Sequence, residues 1–184
     1  MWPAIETARI RLPTLGRRLL RASLAGDLPA AEQELGARLP ADWLGMTEVF
    51  RMRLAQLEQE PGLEPWLTRA VVLEREGRAI GVAGFRGPPG GAWLRDHAPD
   101  GVEFGYTIFP ADRRRGYAAE ASRGLMRWAH AQHGVRRFVL SIGPKNHASA
   151  GLAASLGFRR AGEWLHAERG LEHVYLRVVG GSGA

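Results

Sequence analysis

The sequence predicts an α/β fold, a mixed central β-sheet with helices on both faces. Three observations lead there. Apolar residues recur at helical spacing through the first sixty positions. The pattern changes to strand-like alternation from about residue 70. Residues 102–142 then read as strand, turn, helix, strand. With 184 residues, 45% apolar and 24% charged, the chain has ordinary globular composition and can bury a core, so one domain over residues 1–184 is expected.

The first strand is expected at residues 8–12. A helix follows over 15–25, with Thr14 able to cap its start and Gly26 to end it. Helical spacing recurs over residues 29–39 and 47–60, where Pro61-Gly62 stops it. Apolar runs at 70–73 and 80–83 flank Glu74-Arg75-Glu76-Gly77-Arg78 and read as a hairpin. The stretch from Gly87-Pro88-Pro89-Gly90-Gly91 to Pro99-Asp100-Gly101 is loop-like. Residues 102–109 form the clearest strand: Val102, Phe104, Tyr106 and Ile108 share one face, and Glu103, Gly105, Thr107 and Phe109 the other. Residues 118–131 are amphipathic, with Ala118, Ala121, Leu125, Trp128 and Ala129 in one stripe and Glu120, Arg123 and Arg127 opposite. A buried strand at 138–142, a short helix at 146–156 stopped by Gly157, and strands at 158–165 and 174–179 complete the order. Residues 180–184 are expected to be a flexible tail.

The chain has no cysteine, which excludes disulfides, thiolate metal sites and a cysteine nucleophile. Its net charge is +6, and Lys145 is the only lysine. Arginine is scattered along the chain rather than gathered with aromatics, so the charge reads as a solvated basic surface and nucleic acid is disfavoured as a partner. No apolar run reaches membrane-spanning length, and Met1-Trp2-Pro3-Ala4-Ile5-Glu6 lacks the basic flank and apolar stretch of a secretory signal. A soluble cytoplasmic protein without a membrane partner is expected.

Residues 102–118 carry the strongest functional signal. A strand runs to Pro110, a turn containing Arg113-Arg114-Arg115 follows, and Gly116-Tyr117-Ala118 opens a helix. The first turn of a helix leaves peptide N–H groups unpaired at the positive end of the helix dipole. Gly116 has no side chain to block approach to them, Ala118 has little, and three arginines add charge. This suits a pyrophosphate. The Walker pattern and the three spaced glycines of a dinucleotide loop are both absent.

Arg113-x-x-Gly116-x-Ala118 resembles the Gln/Arg-x-x-Gly-x-Gly/Ala signature of the GNAT family of N-acetyltransferases. Asn146-x-x-Ser149 followed by Leu156-Gly157-Phe158 resembles that family's second coenzyme-A motif. Glu103-Phe104-Gly105-Tyr106 and the Asn-x-x-Ser helix are most similar to its RimJ/RimL-like branch of ribosomal-protein N-terminal acetyltransferases. The resemblance covers about residues 102–160, and residues 1–60 match loosely. It implies a GNAT-like fold with splayed central strands, and acetyl-coenzyme A as cosubstrate with no metal. It also implies direct transfer of acetyl to an amine, on a protein N-terminus or a small molecule, through a ternary complex. A monomer or a homodimer is compatible with it. Two alternatives accompany this reading. One is a module that binds acyl-coenzyme A without catalysis, suggested by Ala153 where many members carry Tyr. The other is a basic ribosome- or RNA-associated protein, suggested by the net charge.

The resemblance implies that Arg113, Arg114, Arg115, Gly116, Tyr117 and Ala118 hold the pyrophosphate. Thr107, Ile108 and Phe109 then pair with the pantetheine arm, while Asn146 and Ser149 contact it, or Asn146 caps its helix. Glu103 is the candidate general base, directly or through water; otherwise it is a strand residue binding a cation. Asp96, His97 and Asp100 are weaker candidates, and an acidic neighbourhood of Glu103, Asp96 and Asp100 would favour a cationic acceptor. Ser149, the nearest hydroxyl on the helix that carries Ala153, is the candidate acid; otherwise it makes a helix back-bond or cap. Trp93 is a candidate lid residue. His130 and His133 are three residues apart with no third ligand in sight.

Overall fold

Residues 2–94, 96–166 and 170–180 are described by the computed structural model. The expected tail falls outside them from residue 181 onward. The chain opens with two short strands, β1 (Ile5–Glu6) and β2 (Ile10–Leu12). Three helices follow, α1 (Arg17–Ala25), α2 (Leu28–Leu35) and α3 (Thr47–Gln59), and then the hairpin β3 (Thr68–Leu73) and β4 (Arg78–Phe85). The second half runs β5 (Val102–Ile108), α4 (Tyr117–His133), β6 (Arg137–Ile142), α5 (His147–Ser155), β7 (Arg159–His166) and β8 (Gly170–Val178). The strands form one mixed sheet in the order β1-β2-β3-β4-β5-β6-β8-β7. The pairs β1–β2, β2–β3, β3–β4, β6–β8 and β7–β8 are antiparallel, and the crossover pair β5–β6 is parallel.

Some helix ends differ from expectation. Thr14 does not cap α1; its hydroxyl donates to Glu64 Oε1 at 2.7 Å, and the helix starts after Gly16. Asp27 caps α2 by accepting the Ala30 N–H, and Gly36 in the left-handed conformation (φ 66°) stops that helix short of Leu39. The stretch 61–66 is a 3-10 turn rather than a bare stop.

The chain divides into two compact units, Met1–Gly84 with Tyr106–Leu125, and Phe85–Gly105 with Met126–Ala184. The divisions fall inside β5 and inside α4, so each of these elements contributes to both units. In the first unit, Leu19, Leu20, Leu35, Trp43, Phe50 and Leu57 of the helical region pack with Ala70, Val72, Ala79 and Val82 of the β3–β4 hairpin. Trp43 is fully buried and donates its indole N–H to Ser23 Oγ at 2.9 Å, so the largest core side chain has its polar atom satisfied.

Two further features fix this unit. Gly81 of β4 lies against β5 so closely that a Cβ there would sit 2.1 Å from the Thr107 carbonyl oxygen. Arg69 of β3 is 1% exposed and donates to the carbonyls of Leu12 (2.9 Å), Pro65 (3.1 Å) and Pro3 (3.3 Å). One buried guanidinium thus ties β3 to the N-terminal segment and to the turn before it. Burial lowers its pKa to about 10, against the pull of Glu64.

In the second unit, Phe85, Phe104, Phe158 and Trp128 form a chain of ring contacts with centroids 5.8–6.1 Å apart. A second cluster gathers Leu94, Ala98, Val139 and Val174, with Trp93, Trp164 and Leu176 packed on it. The expected loop at 87–101 is therefore anchored. It contains a 3-10 turn at Ala92–Leu94 and buries Leu94 and Ala98. Trp93 packs on this cluster and its ring lies against Gly91, so it is a built-in part of the loop rather than a free lid.

Arg69→Ala should lower unfolding free energy by about 3 kcal/mol or more, because three carbonyls lose their donor at once. Urea denaturation followed by far-UV circular dichroism measures this.

Candidate active site

In the first unit, β5 ends at Ile108 and a 3-10 turn at Pro110–Asp112 leads into the basic turn. Arg114 takes a left-handed conformation (φ 61°) and so does Gly116 (φ 83°). Arg114 is the one described non-glycine residue with positive φ, an uncommon state for a side-chain-bearing residue. Glu120 N–H to Gly116 O, at 3.0 Å, is the bond that opens α4. Among the described residues, the peptide N–H groups from Arg114 to Ala119 donate to no protein acceptor. A row of such donors at the N-terminus of a 17-residue helix has the donor pattern that suits an anion.

The turn is held from behind by side chains. Asp112 is 2% exposed and takes a bidentate pair from Arg78, Nη1 to Oδ2 at 2.7 Å and Nη2 to Oδ1 at 2.8 Å. These bonds hold the Asp112 carboxyl below its ordinary range despite its burial. Arg113 folds back to donate Nε–H to the Ile108 carbonyl at 2.8 Å. Arg115 reaches Asp112 at 3.7 Å. Of the three consecutive arginines, Arg113 is therefore a clamp on the strand end.

Phe109 departs from its expected role. Its N–H donates to the Ile80 carbonyl at 2.8 Å, its carbonyl accepts from Asp112 N–H at 3.0 Å, and its ring is in the helical core. The N–H and the ring of Phe109, two groups that could have met a pantetheine arm, are thus taken up within the protein. Thr107 is exposed and Ile108 is buried.

In the second unit, the parallel register of β5 and β6 consists of Val102↔Phe138 and Glu103↔Val139. Phe104 and Gly105 continue β5 past this register. Glu103 is 3% exposed and its Oε1 accepts from Arg86 Nε at 2.6 Å. Glu103 is thus a buried strand residue, and the cation it binds is Arg86. Asp100 is paired with Arg137, which lowers the pKa of its carboxyl. Two of the three carboxylates expected to form an acidic neighbourhood therefore already have arginine partners. Asp96 is exposed and His97 half-buried, its ring beneath the position a Cβ on Gly162 would occupy.

Asn146 caps α5 by accepting the Ser149 N–H at 3.1 Å. The Ser149 hydroxyl is half-buried and makes no helix back-bond, unlike Ser155, which donates to Leu152 O at 2.7 Å. Ala153 is fully buried. His130 contacts the Val135 carbonyl, and His133 meets Trp128 edge to face.

Sequence reasoning did not foresee the parts played by Arg78, Arg86, Thr7, Arg9 and Glu120. Glu120 was expected on the solvent stripe of α4. Its side chain is 14% exposed, and its carboxylate is taken by Thr7 and Arg9. Burial alone would raise its pKa, but the bonds from Thr7 and Arg9 outweigh that and lower it.

The acetyltransferase (GNAT) domain family model matches residues 25–159, and the chain belongs to the GNAT acetyltransferases. Over 170 residues it is 27% identical to the uncharacterized N-acetyltransferase YjdG of Bacillus subtilis (strain 168), an alignment covering 88% of this chain and 95% of that protein. Its fold matches a Bordetella pertussis protein assigned to the GnaT-family acetyltransferases, with a TM-score of 0.70, 21% identity, and 96% of this chain and 100% of that one covered. It also matches the RimL ribosomal α-N-protein acetyltransferase solved in complex with coenzyme A, with a TM-score of 0.63, 17% identity, and 96% and 98% of the two chains covered. The protein is thus an N-acetyltransferase of a family that uses acetyl-coenzyme A, and its mixed eight-stranded sheet is the fold of that family. Among the described residues, no helix is long and apolar enough to cross a membrane.

Asp112→Asn should cost about 2 kcal/mol, since Arg78 loses a charged acceptor. It should also flatten the acid limb of stability. Asp112 and Glu120 have lowered pKa values in the folded state, so their stabilisation is complete above the ordinary carboxylate range and is lost as pH falls through the folded values. The wild-type urea midpoint should drop steeply below about pH 4, and that of the variant less so, as a series of denaturation curves from pH 5 to pH 2 would record.

Proposed function

We propose that the protein binds acetyl-coenzyme A through the Arg114–Ala119 turn and passes the acetyl group directly to the amine of a peptide N-terminus or a small molecule, with both reactants bound together. The observation that carries this reading is the run of unpaired N–H groups at the start of α4, flanked by Arg113, Arg114 and Arg115. Six adjacent donors, with the Arg114 and Arg115 guanidinium groups beside them, suit a diphosphate in charge and in spacing.

In this reading the amides of Arg114, Arg115, Gly116, Tyr117 and Ala118 hold the pyrophosphate, and Arg113 keeps the turn against the end of β5. Thr107 and Ile108, directly upstream, serve the pantetheine arm. Asn146 fixes the start of α5 and so presents Ser149. Bound acetyl-coenzyme A supplies an activated thioester, so the chain's own work is to hold the reactants, take a proton from the amine and give one to the departing thiolate. Holding two reactants in attack geometry is worth roughly 7–11 kcal/mol, more than any single side chain provides.

Glu103 is the proposed proton acceptor. Arg86 occupies Oε1 and fixes the carboxylate's orientation, and the proton arrives at the carboxylate through water. Ser149, whose hydroxyl has no acceptor among the described residues, is the proposed donor to the thiolate. It lies one helical turn before Ala153, where the common family pattern places a tyrosine.

The test is release of free thiol from acetyl-coenzyme A across a panel of peptide N-termini and small amines. Gly116→Asp should abolish turnover, because a carboxylate would stand at a left-handed position in the cradle. Wild-type turnover persisting in that variant would overturn the loop assignment. Glu103→Gln should lower kcat by roughly 10²–10⁴-fold while leaving coenzyme binding unchanged, and Ser149→Ala should lower kcat with the same signature. Tight coenzyme binding with no turnover on any amine would favour a binding module instead.

A further inference from the structure

The segment between β1 and β2 reaches the phosphate turn from more than a hundred positions away in the sequence. Thr7 Oγ1 donates to Glu120 Oε1 at 2.6 Å, and Arg9 N–H donates to the same oxygen at 2.7 Å. Arg9 Nε donates to Glu120 Oε2 at 2.7 Å, so the carboxylate is gripped at both oxygens. Arg9 Nη1 donates to the Arg115 carbonyl at 3.1 Å. The guanidinium carbon lies 4.6 Å from the centre of the Tyr117 ring. Nη2 comes within 3.4 Å of where a Cβ on Gly116 would be. Thr7 Cγ2 would similarly meet a Cβ on Gly124 at 3.0 Å, so this glycine lets the segment lie close to α4.

Every one of these contacts lands on residues 115–124, around the row of unpaired amides. A peptide unit is planar, so fixing the carbonyl of Arg115 fixes the N–H of Gly116, which belongs to the same unit and points the opposite way. Arg9 pulls that carbonyl back, and so turns the Gly116 amide outward. Its grip on Glu120 anchors the first turn of α4, and its stacking restrains Tyr117. The remaining positive charge on Arg9, half-exposed and beside Gly116, stands where an anion on the cradle would feel it.

We propose that Arg9 is a positioning residue for the phosphate turn, holding the amides of residues 116–118 in a donating arrangement, so that it controls affinity for the diphosphate half of the cosubstrate and not for its thiol half. This rests on the reading of the turn as the coenzyme-A pyrophosphate loop. Nothing in the local sequence around Arg9 announces the role. It comes from the fork geometry of one guanidinium, which satisfies a carboxylate and a carbonyl together.

The test compares two ligands that differ in phosphate. Coenzyme A is titrated calorimetrically, and pantetheine, which has the same thiol arm and no phosphate, is titrated by ligand-observed NMR. Arg9→Ala should weaken coenzyme A about tenfold, the effect of losing charge-assisted bonds behind the cradle, and leave pantetheine affinity unchanged. Glu120→Gln, which keeps the side-chain shape and removes the charge, should shift the same ligand in the same direction by less. Arg9→Lys keeps the charge without the fork and should restore little. Equal weakening of both ligands would mean a general structural defect and overturn the proposal, as would full recovery in Arg9→Lys. Unchanged coenzyme A binding in both Arg9→Ala and Glu120→Gln would overturn it while leaving the loop assignment standing. Failure of the wild-type protein to bind coenzyme A would instead overturn the loop assignment itself.

Discussion

A peptide group taken from water must find a partner, and the turn before α4 leaves six consecutive N–H groups without one inside the protein. That constraint organises what surrounds it. The turn cannot collapse on itself, because Arg114 and Gly116 are held in left-handed conformations. It cannot swing away, because Asp112 is locked to Arg78 and Arg113 to the end of β5. The site is therefore preorganised: the strain of an unfavourable backbone state and the desolvation of a carboxylate are met during folding. Donors fixed in this way need no rearrangement to meet an anion.

The candidate residues fall in both units. The first carries the Arg114–Ala119 turn and its supports. The second carries the buried carboxylate of Glu103, the Ser149 hydroxyl and the short parallel register that begins at Val102. A buried carboxylate needs a partner in every protein, and Arg86 supplies it here, so the same residue that neutralises Glu103 also sets how the carboxylate is turned. Several arginines of this basic chain are built into its structure rather than left as loose surface charge. Arg9, Arg69, Arg78, Arg86 and Arg113 are each engaged with protein acceptors.

Much of the fold was legible because it rests on local pattern. The alternation in β5, the apolar stripe of α4 and the stops at Gly26 and Gly157 all depend on neighbours close in sequence, and they stand where the periodicity put them. The strand, basic turn, glycine and helix at residues 102–133 were legible for the same reason, being contiguous. The misreadings are of another kind. β1 is two residues long and exists through its pairing with β2, which no periodicity reveals. Thr14 offered a helix cap and instead bonds Glu64, fifty residues on. Glu120 matched the polar stripe of α4 and is taken by Thr7 and Arg9, in the segment between β1 and β2. Phe109 alternated onto the Glu103 face, yet β5 ends at Ile108, one residue before it. For Thr14, Glu120 and Phe109, partners far along the chain outweighed the local rule, and sequence spacing carries no trace of such partners.

Gly81 shows how tightly history is bound at one point of the sheet. With the Thr107 carbonyl 2.1 Å from where a side chain would begin, even a methyl group at position 81 would pry β4 from β5 at the strand leading into the Arg114–Ala119 turn. The two strands can exchange side chains with drift elsewhere along their length, but at this crossing the chain has no smaller step to take. Any descendant that fills the gap must first rebuild the strand beside it.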